Sequence, residues 1–434
     1  MSPELLSLAV SLSVMLPLLF LGVHVGVALA LGGMAGTYAF LGSWGPGVNM
    51  LLLQAIDVSS SFPLMVIPLF ILLGALAAAS GITTDLFTMF YRWFGRMRGG
   101  IAIATIGSCA GMASITGSSV ASAAAMTKIA LPELRRFGYD ERLSVGTIAI
   151  GGTLSIMIPP SITLVLFAIF AEQSVGKMLV AGILPGLVLT LGYCVLIYGQ
   201  CRIWPHHGPR GPAFGWDERF QSLPGVLPFL LLLVAVVVGI LLGVWTPVES
   251  AAVAVVLTGL IGFVWRRLNF QKVVQAAKEA SITSASVFTI VIGSMVFSNF
   301  LALNGVSALI TEWIISLNLA PFALYIVLMV LYVILGMFME VSSLMALTIP
   351  LVMPVVAAAK WDPIWFGVIV TALMEVASVT PPVGMNLYGI KAQAPEISLN
   401  VIYMGALPFW LINIAVSFLL YFVPGIALFL PNFR

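Results

Sequence analysis

Two consecutive-proline pairs, Pro159-Pro160 and Pro381-Pro382, stand inside apolar runs of about thirty residues. Runs of that length are what a bilayer-crossing helix needs. Proline has no backbone N–H and breaks the ladder of a helix that contains it. The chain must therefore cross a membrane with helices broken partway. Broken backbone at that depth is tolerated only where protein buries it or where it lines a cavity. The first pair frees the carbonyls of Ser155 and Ile156, four residues earlier, and the second frees those of Ala377 and Ser378. Ile158, Pro160, Thr380 and Val383 lie within the breaks and lose regular pairing as well. Carbonyls at an unwound helix are oxygen ligands for hard cations, so sodium fits without a carboxylate.

Composition agrees with lipid as the solvent. Only 8 % of the 434 residues are charged, with 18 basic and 16 acidic side chains, and 61 % are apolar. Soluble domains carry about 25 % charge. A soluble fold could not hide that apolar surface, which excludes a cytosolic globular enzyme. A net charge of +2 gives no footprint for nucleic acid. Cys109, Cys194 and Cys201 form no CxxC pair and no ligand spacing. The start, Met1-Ser2-Pro3-Glu4, lacks the basic region of a signal peptide, so the first apolar segment is expected to be retained. Lys177 follows Gly176, but Ala171 and Met178 stand where a P-loop needs other residues, so ATP hydrolysis is not expected to drive this chain. No catalytic constellation is visible, and the protein is not expected to be an enzyme.

Apolar length places spans near 4–21, 24–42, 61–80, 143–172, 178–201, 224–246, 248–266, 282–303, 364–392 and 399–424. Two further apolar stretches, 101–127 and 322–358, are interrupted by small or polar residues. If both re-enter on the face they left, 15 of the 18 basic residues fall on one side. Lys177, Lys360 and Arg434 remain on the other. The positive-inside rule makes the first side cytoplasmic and puts both termini outside. The stretches are then re-entrant hairpins. The polar connection 202–223, with His206 and His207, reads as a solvated cytoplasmic loop because no third metal ligand lies nearby.

The chain also repeats itself at offsets of 222 to 224 residues. Ser80-Gly81 corresponds to Asn304-Gly305, and Ser118-Ser119 to Ser342-Ser343. Gly138-Tyr139-Asp140 corresponds to Lys360-Trp361-Asp362, and Pro159-Pro160 to Pro381-Pro382. Gly182-Ile183-Leu184-Pro185 matches Gly405-Ala406-Leu407-Pro408. The first unit begins with an inward helix and the second with an outward one, so the repeats are inverted. Inverted repeats with discontinuous helices are the architecture of secondary transporters, with binding near the midplane.

The hairpin tips face the breaks. The first runs from Ser114 through Gly117, Ser118 and Ser119 to Ser122, and the second from Gly336 to Ser343. Their small residues allow close backbone approach, and their hydroxyls add ligands. The helix that starts after a tip presents a positive dipole end to an anion. Candidates for substrate contact are Ser119, Ser161, Glu340, Ser342 and Asn386. Glu340 and Glu375 are acidic groups at membrane depth, where such groups are functional by default. Glu375 also reads equally well as a structural hydrogen-bond partner. Lys128 reads as snorkelling to the cytoplasmic interface.

Ile67-Pro68-Leu69-Phe70-Ile71-Leu72-Leu73-Gly74, Thr116-Gly117-Ser118-Ser119-Val120-Ala121, Ile158-Pro159-Pro160-Ser161 and Ala181-Gly182-Ile183-Leu184-Pro185-Gly186 together resemble one known family. It is the large membrane subunit of TRAP (tripartite ATP-independent periplasmic) transporters. The resemblance continues through Thr380-Pro381-Pro382-Val383-Gly384 and Gly405-Ala406-Leu407-Pro408, and covers nearly the whole chain. One departure is His24, in Gly22-Val23-His24-Val25, where the family commonly has proline. It is expected to lie outside the sites.

The resemblance implies an all-α polytopic protein of the inner, cytoplasmic membrane of a bacterium or archaeon. It implies a sodium-coupled importer of organic acids, such as C4-dicarboxylates or sugar acids, that works by an elevator motion. Sodium is the coupling ion and no other cofactor is implied. The partners implied are a small four-helix membrane subunit, a periplasmic substrate-binding protein and lipid. Carried over residue by residue, one sodium falls to Ser114, Gly117, Ser118, Ser155, Ile158 and Pro160. The other falls to Gly336, Ala377, Thr380 and Val383. The chain then divides into N-terminal scaffold helices 1–60 and a first repeat 61–201, with hairpin 101–136 and broken helix 143–172. A central segment 202–281 follows, then a second repeat 282–424, with hairpin 322–358 and broken helix 364–392, and a tail 425–434. The alternatives are a stand-alone sodium/anion symporter that needs no binding protein, and a passive channel. The lack of a continuous polar stripe argues against the channel.

Overall fold

A computed structural model describes residues 2–433 except 117, leaving aside the side chains of 114–116 and 315. The described chain is helical throughout, with no β-strand among the described residues. It opens with α1 (Pro3–Phe20), α2 (Val25–Leu41), α3 (Trp44–Ser60), α4 (Val66–Ser80) and α5 (Ile82–Phe94). Next come α6 (Gly100–Thr116), α7 (Ser119–Arg136), α8 (Glu141–Met157), α9 (Ile162–Phe170), α10 (Val175–Ala181) and α11 (Ile183–Ile203). After a polar connection follow α12 (Trp216–Phe220), α13 (Leu223–Leu233), a π-helical stretch (Val234–Val238), α14 (Gly239–Leu241) and α15 (Pro247–Val264). The rest comprises α16 (Phe270–Leu303), α17 (Val306–Ser316), α18 (Pro321–Gly336) and α19 (Val341–Ala358). It ends with α20 (Pro363–Ser378), α21 (Met385–Gln393), α22 (Leu399–Phe422) and α23 (Gly425–Leu428).

The repeat read from sequence recurs in the helix boundaries. The order α5 to α9 is repeated by α17 to α21, and matching helices are started by matching caps. Asp140 starts α8 by accepting the N–H of Leu143 at 3.0 Å. Asp362 starts α20 by accepting those of Ile364 and Trp365 at 2.8 and 3.0 Å. An N-cap carboxylate satisfies amide donors that have no partner inside the helix. Gly81 and Gly305 turn the chain at φ +79° and +72°, where a side chain would be strained.

Eight helical stretches among the described residues are long and apolar enough to cross a bilayer, and α8 with α9, bent by 42°, makes a ninth. Two of the ten expected spans do not reach that length. Segment 24–42 holds α2, of 17 residues, and 364–392 is split by its proline pair into α20, of 16, and α21, of 9. Conversely, α19 reaches it by its own 18 residues, although the sequence reading assigned it to a hairpin. The span expected at 282–303 is the end of α16, which runs for 34 residues. Helix α3 is an addition. Its exposed Trp44, Val48, Leu52, Leu53 and Ile56 alternate with Asn49, Gln54 and Asp57, which interrupt the apolar run.

The two helices that run into the proline pairs form the core. Every residue of 143–157 in α8 and of 364–378 in α20 is buried. A helix apolar all round belongs inside a bundle. Helices α6, α7 and α22 pack on α8, while α18 and α22 pack on α20. A second, smaller core joins α1, α2 and α16 through Met15, Leu29, Phe297 and Phe300. Glycine permits the closest crossings. A Cβ on Gly146 would lie 2.0 Å from the Gly405 carbonyl oxygen, and one on Gly405 would lie 2.1 Å from that of Arg142. Between α2 and α16, a Cβ on Gly293 would lie 1.9 Å from the Gly26 carbonyl oxygen. Gly405→Ala is accordingly expected to cost about 1–3 kcal/mol through overpacking and to lower the melting temperature in detergent. Gly259→Ala, whose added methyl meets nothing within 4 Å, is expected to leave it unchanged or raise it.

Candidate ion and substrate site

A cavity of about 590 Å³ lies where the two halves of the chain meet. One wall is the α1–α2 turn, from Leu19 to Val25, together with Thr283, Ser286, Val287 and Ile290 of α16. Ser118, Ser119 and Val120, at the start of α7, form another part. Met339 to Ser343, at the start of α19, form a third. The breaks contribute Ile156, Ile162 and Thr163 from the first half and Ser378 and Met385 from the second. Both tips and both breaks thus border one space.

The tips are shaped by caps. Ser118 is the N-cap of α7 and accepts the Ala121 N–H at 3.5 Å. Glu340 is the N-cap of α19. Its carboxylate accepts the N–H groups of Ser342 and Ser343 at 2.8 and 3.3 Å and the Ser342 hydroxyl at 3.2 Å. Three of the expected substrate contacts, Ser119, Glu340 and Ser342, line the cavity. Gly117 and the side chain of Ser114 lie outside the described residues.

The breaks depart from the expected pattern of free carbonyls. Both proline pairs are joined by cis peptide bonds. The Ile156 carbonyl is taken by the Ser161 hydroxyl, which donates to it at 2.5 Å. Ser161 also caps α9, accepting the Leu164 N–H at 3.4 Å, and is fully buried. The Ala377 carbonyl accepts the Thr380 N–H at 3.1 Å. The Thr380 hydroxyl donates to the Val376 carbonyl at 2.6 Å and accepts the Trp410 Nε1–H at 2.9 Å. The Val383 carbonyl accepts the Tyr403 hydroxyl at 3.0 Å, and that of Pro382 accepts it at 2.6 Å. A buried carbonyl without a partner is costly. The chain therefore supplies hydroxyl donors beside each proline pair, a role that counting four residues back from proline does not reveal.

Other candidates divide between the two sides. Gly336 and Ala377 meet, since a Cβ on Gly336 would lie 2.5 Å from that of Ala377. Ser155 is buried, and its hydroxyl donates to the Gly152 carbonyl at 2.8 Å. Pro160 is buried. Ile158 faces a separate apolar groove between α5, α6, α11 and α13. Asn386, near the start of α21, is fully buried, and its amide has no partner among the described residues. That leaves it a donor and an acceptor for a ligand.

His24 borders the cavity, and its Nε2 lies 2.7 Å from the Ser286 Oγ of α16. Sequence reasoning missed this wall because it looked for breaks made by proline. The signals were present in Gly22, which turns the chain at φ +76°, and in Thr283 and Ser286, polar residues three apart on one face of α16.

Away from the cavity, Glu375 of α20 is fully buried and accepts the Thr153 hydroxyl of α8 at 3.4 Å. Those residues stand 222 apart and occupy equivalent places in the two repeats. Tyr193 of α11 lies against Glu375 and donates to Asn413 of α22. The four side chains tie four helices around the core. At the basic end, Arg135 pairs with Glu141 at 2.9 Å and Glu396 at 2.7 Å, bonds that raise the guanidinium above its usual range.

An all-helical chain whose halves wall one cavity with broken helices defines a multi-pass membrane transporter fold. The solved YdaH transporter of Alcanivorax borkumensis shares that fold, with a TM-score of 0.64 over 88 % of this chain and 89 % of its own, at 13 % identity. The chain belongs to the DctM component family of tripartite ATP-independent periplasmic transporters, whose profile matches residues 12–426. Among its relatives, the C4-dicarboxylate TRAP transporter large permease protein DctM of Pseudomonas aeruginosa is 32 % identical over 92 % of this chain and 93 % of that protein. The sialic acid TRAP transporter large permease protein SiaM of Vibrio cholerae is 28 % identical over 96 % of each. The isethionate TRAP transporter permease protein DctMQ of Oleidesulfovibrio alaskensis is 30 % identical over 95 % of this chain, but the match spans only 66 % of that longer protein.

The buried knot yields a test. Glu375→Gln keeps the shape and a hydrogen-bonding group, and is expected to melt close to the wild type in detergent. Glu375→Leu removes the carboxylate that Thr153 and Tyr193 touch, while Thr153 keeps the Ile150 carbonyl at 2.8 Å and Tyr193 keeps Asn413, and is expected to lose about 1 kcal/mol, read as a lower melting temperature.

Proposed function

We propose that the chain is the large membrane subunit of a sodium-coupled, binding-protein-dependent importer of organic acids. One observation carries the reading: both tips and both proline-broken helices border a single cavity. Sodium would be held between each tip and its neighbouring break. One site draws on the first tip, including Ser114 and Gly117, with Ser118, Ser155, Ile158 and Pro160. The other draws on Gly336, Ala377, Thr380 and Val383. Hydroxyls, carbonyls and the Asn386 amide are suitable hard ligands. The substrate would occupy the cavity among Ser119, Glu340 and Ser342, with the buried Ser161 and Asn386 as the further contacts proposed behind its wall.

In this reading α6–α7 and α18–α19 are re-entrant hairpins, and they move with the broken helices α8–α9 and α20–α21 as one body. The remaining helices stay fixed, completed by a small membrane subunit. The charge distribution supports that topology: returning both pairs to the face they left gathers 15 of 18 basic residues on the cytoplasmic side and leaves both termini periplasmic. The isethionate DctMQ relative extends beyond the part this chain matches, which leaves room for a further segment beside this chain. A periplasmic binding protein would deliver the acid. C4-dicarboxylates and sialic acid, named for two relatives, are both carboxylates.

Proteoliposomes holding the chain and its small subunit, supplied with its binding protein, test this. Uptake is expected only with an inward sodium gradient, and Ser118→Leu is expected to abolish it while leaving membrane insertion intact. Uptake that survives collapse of the gradient would refute the coupling.

A further inference from the structure

The cavity has an uneven charge. Glu340 lines it and is engaged in capping α19. Among the described lining residues His24 is the only side chain able to carry a positive charge, because lysine and arginine are absent from that wall. His24 sits at the entry to α2, where its side chain makes no capping bond, and it is exposed to the cavity. Its contact with the Ser286 hydroxyl, at 2.7 Å, fixes the ring and leaves Nδ1 for a ligand. Both residues belong to α2 and α16, which cross through Gly26 and Gly293. The imidazole is therefore mounted on a close-packed pair and lines the same cavity as Ser118, Ser119 and Ser342.

We propose that His24, oriented by Ser286, is a specificity-determining residue that binds a carboxylate group of the substrate within the cavity that the hairpin tips also line. The inference rests on the proposed function and deepens it by assigning the anionic end of the substrate to one side chain. An acid entering beside Glu340 meets a like charge there, and a hydrogen-bond donor elsewhere in the same cavity is what offsets it. The hydroxyls at the tips then serve the rest of the molecule. When the tips move relative to α2 and α16, this contact breaks. Its strength helps decide which acids are held while the cavity is open as it is here. Neutral solutes of the same shape lose that contact and are rejected.

The test uses the purified chain with its small subunit in detergent, without the binding protein, and reads the Kd by calorimetry in sodium. The probes are succinate, malate, fumarate and sialic acid. For the acid that binds, His24→Ala is expected to weaken binding about tenfold, the effect of losing one charge-assisted hydrogen bond. His24→Lys, which supplies a hydrogen-bond donor at the same place, is expected to restore most of it. Ser286→Ala is expected to weaken binding by a smaller factor. The melting temperature without acid and its response to sodium should stay as in the wild type, which separates ligand contact from a structural role. A Kd for His24→Ala within about twofold of the wild type, or a loss that His24→Lys does not recover, overturns the assignment. Wild-type protein that binds none of the four acids overturns this inference, while the organic-acid reading itself stands or falls on the proteoliposome uptake with the binding protein.

Discussion

Backbone satisfaction at the two proline pairs is the constraint on which the rest of this structure depends. In lipid, a carbonyl that loses its helical partner cannot turn to water. The chain answers with side-chain hydroxyls next to each break: Ser161 takes the Ile156 carbonyl and Tyr403 takes those of Pro382 and Val383. It then wraps the helices that carry the breaks, so that 143–157 and 364–378 are buried throughout.

Duplication makes the solution economical. Asp140 and Asp362 start equivalent helices, and Thr153 and Glu375 meet at equivalent positions in the core. The repeats are not chemically equal. Ser118 caps the first tip helix with a hydroxyl, whereas Glu340 caps the second with a carboxylate. That difference gives the cavity one acidic edge, and His24 lines the same cavity.

Much of this was legible in the residues. The broken helices, the tips and the repeat followed from proline pairs, small-residue clusters and spacing, because each is a local signal with a fixed physical meaning. The long α16 and the exposed α3 were not, since mixed polarity hides a helix from an apolar-length count. Nor was the wall formed by His24, Thr283 and Ser286. It arises from the crossing of α2 and α16, residues 262 apart in sequence at the His24–Ser286 contact, and nothing local announces that meeting. Likewise, the hydroxyls that occupy the freed carbonyls become visible only once the chain bends back on itself at each break.

The central claim is that these breaks and tips hold sodium. The most direct measurement is the melting temperature of the purified protein as sodium chloride replaces choline chloride at constant ionic strength. Ligands that bind only the folded state raise its stability by mass action. A saturable rise with sodium that is reduced in Thr380→Val is the result this account predicts. Equal melting temperatures in sodium and choline would contradict it.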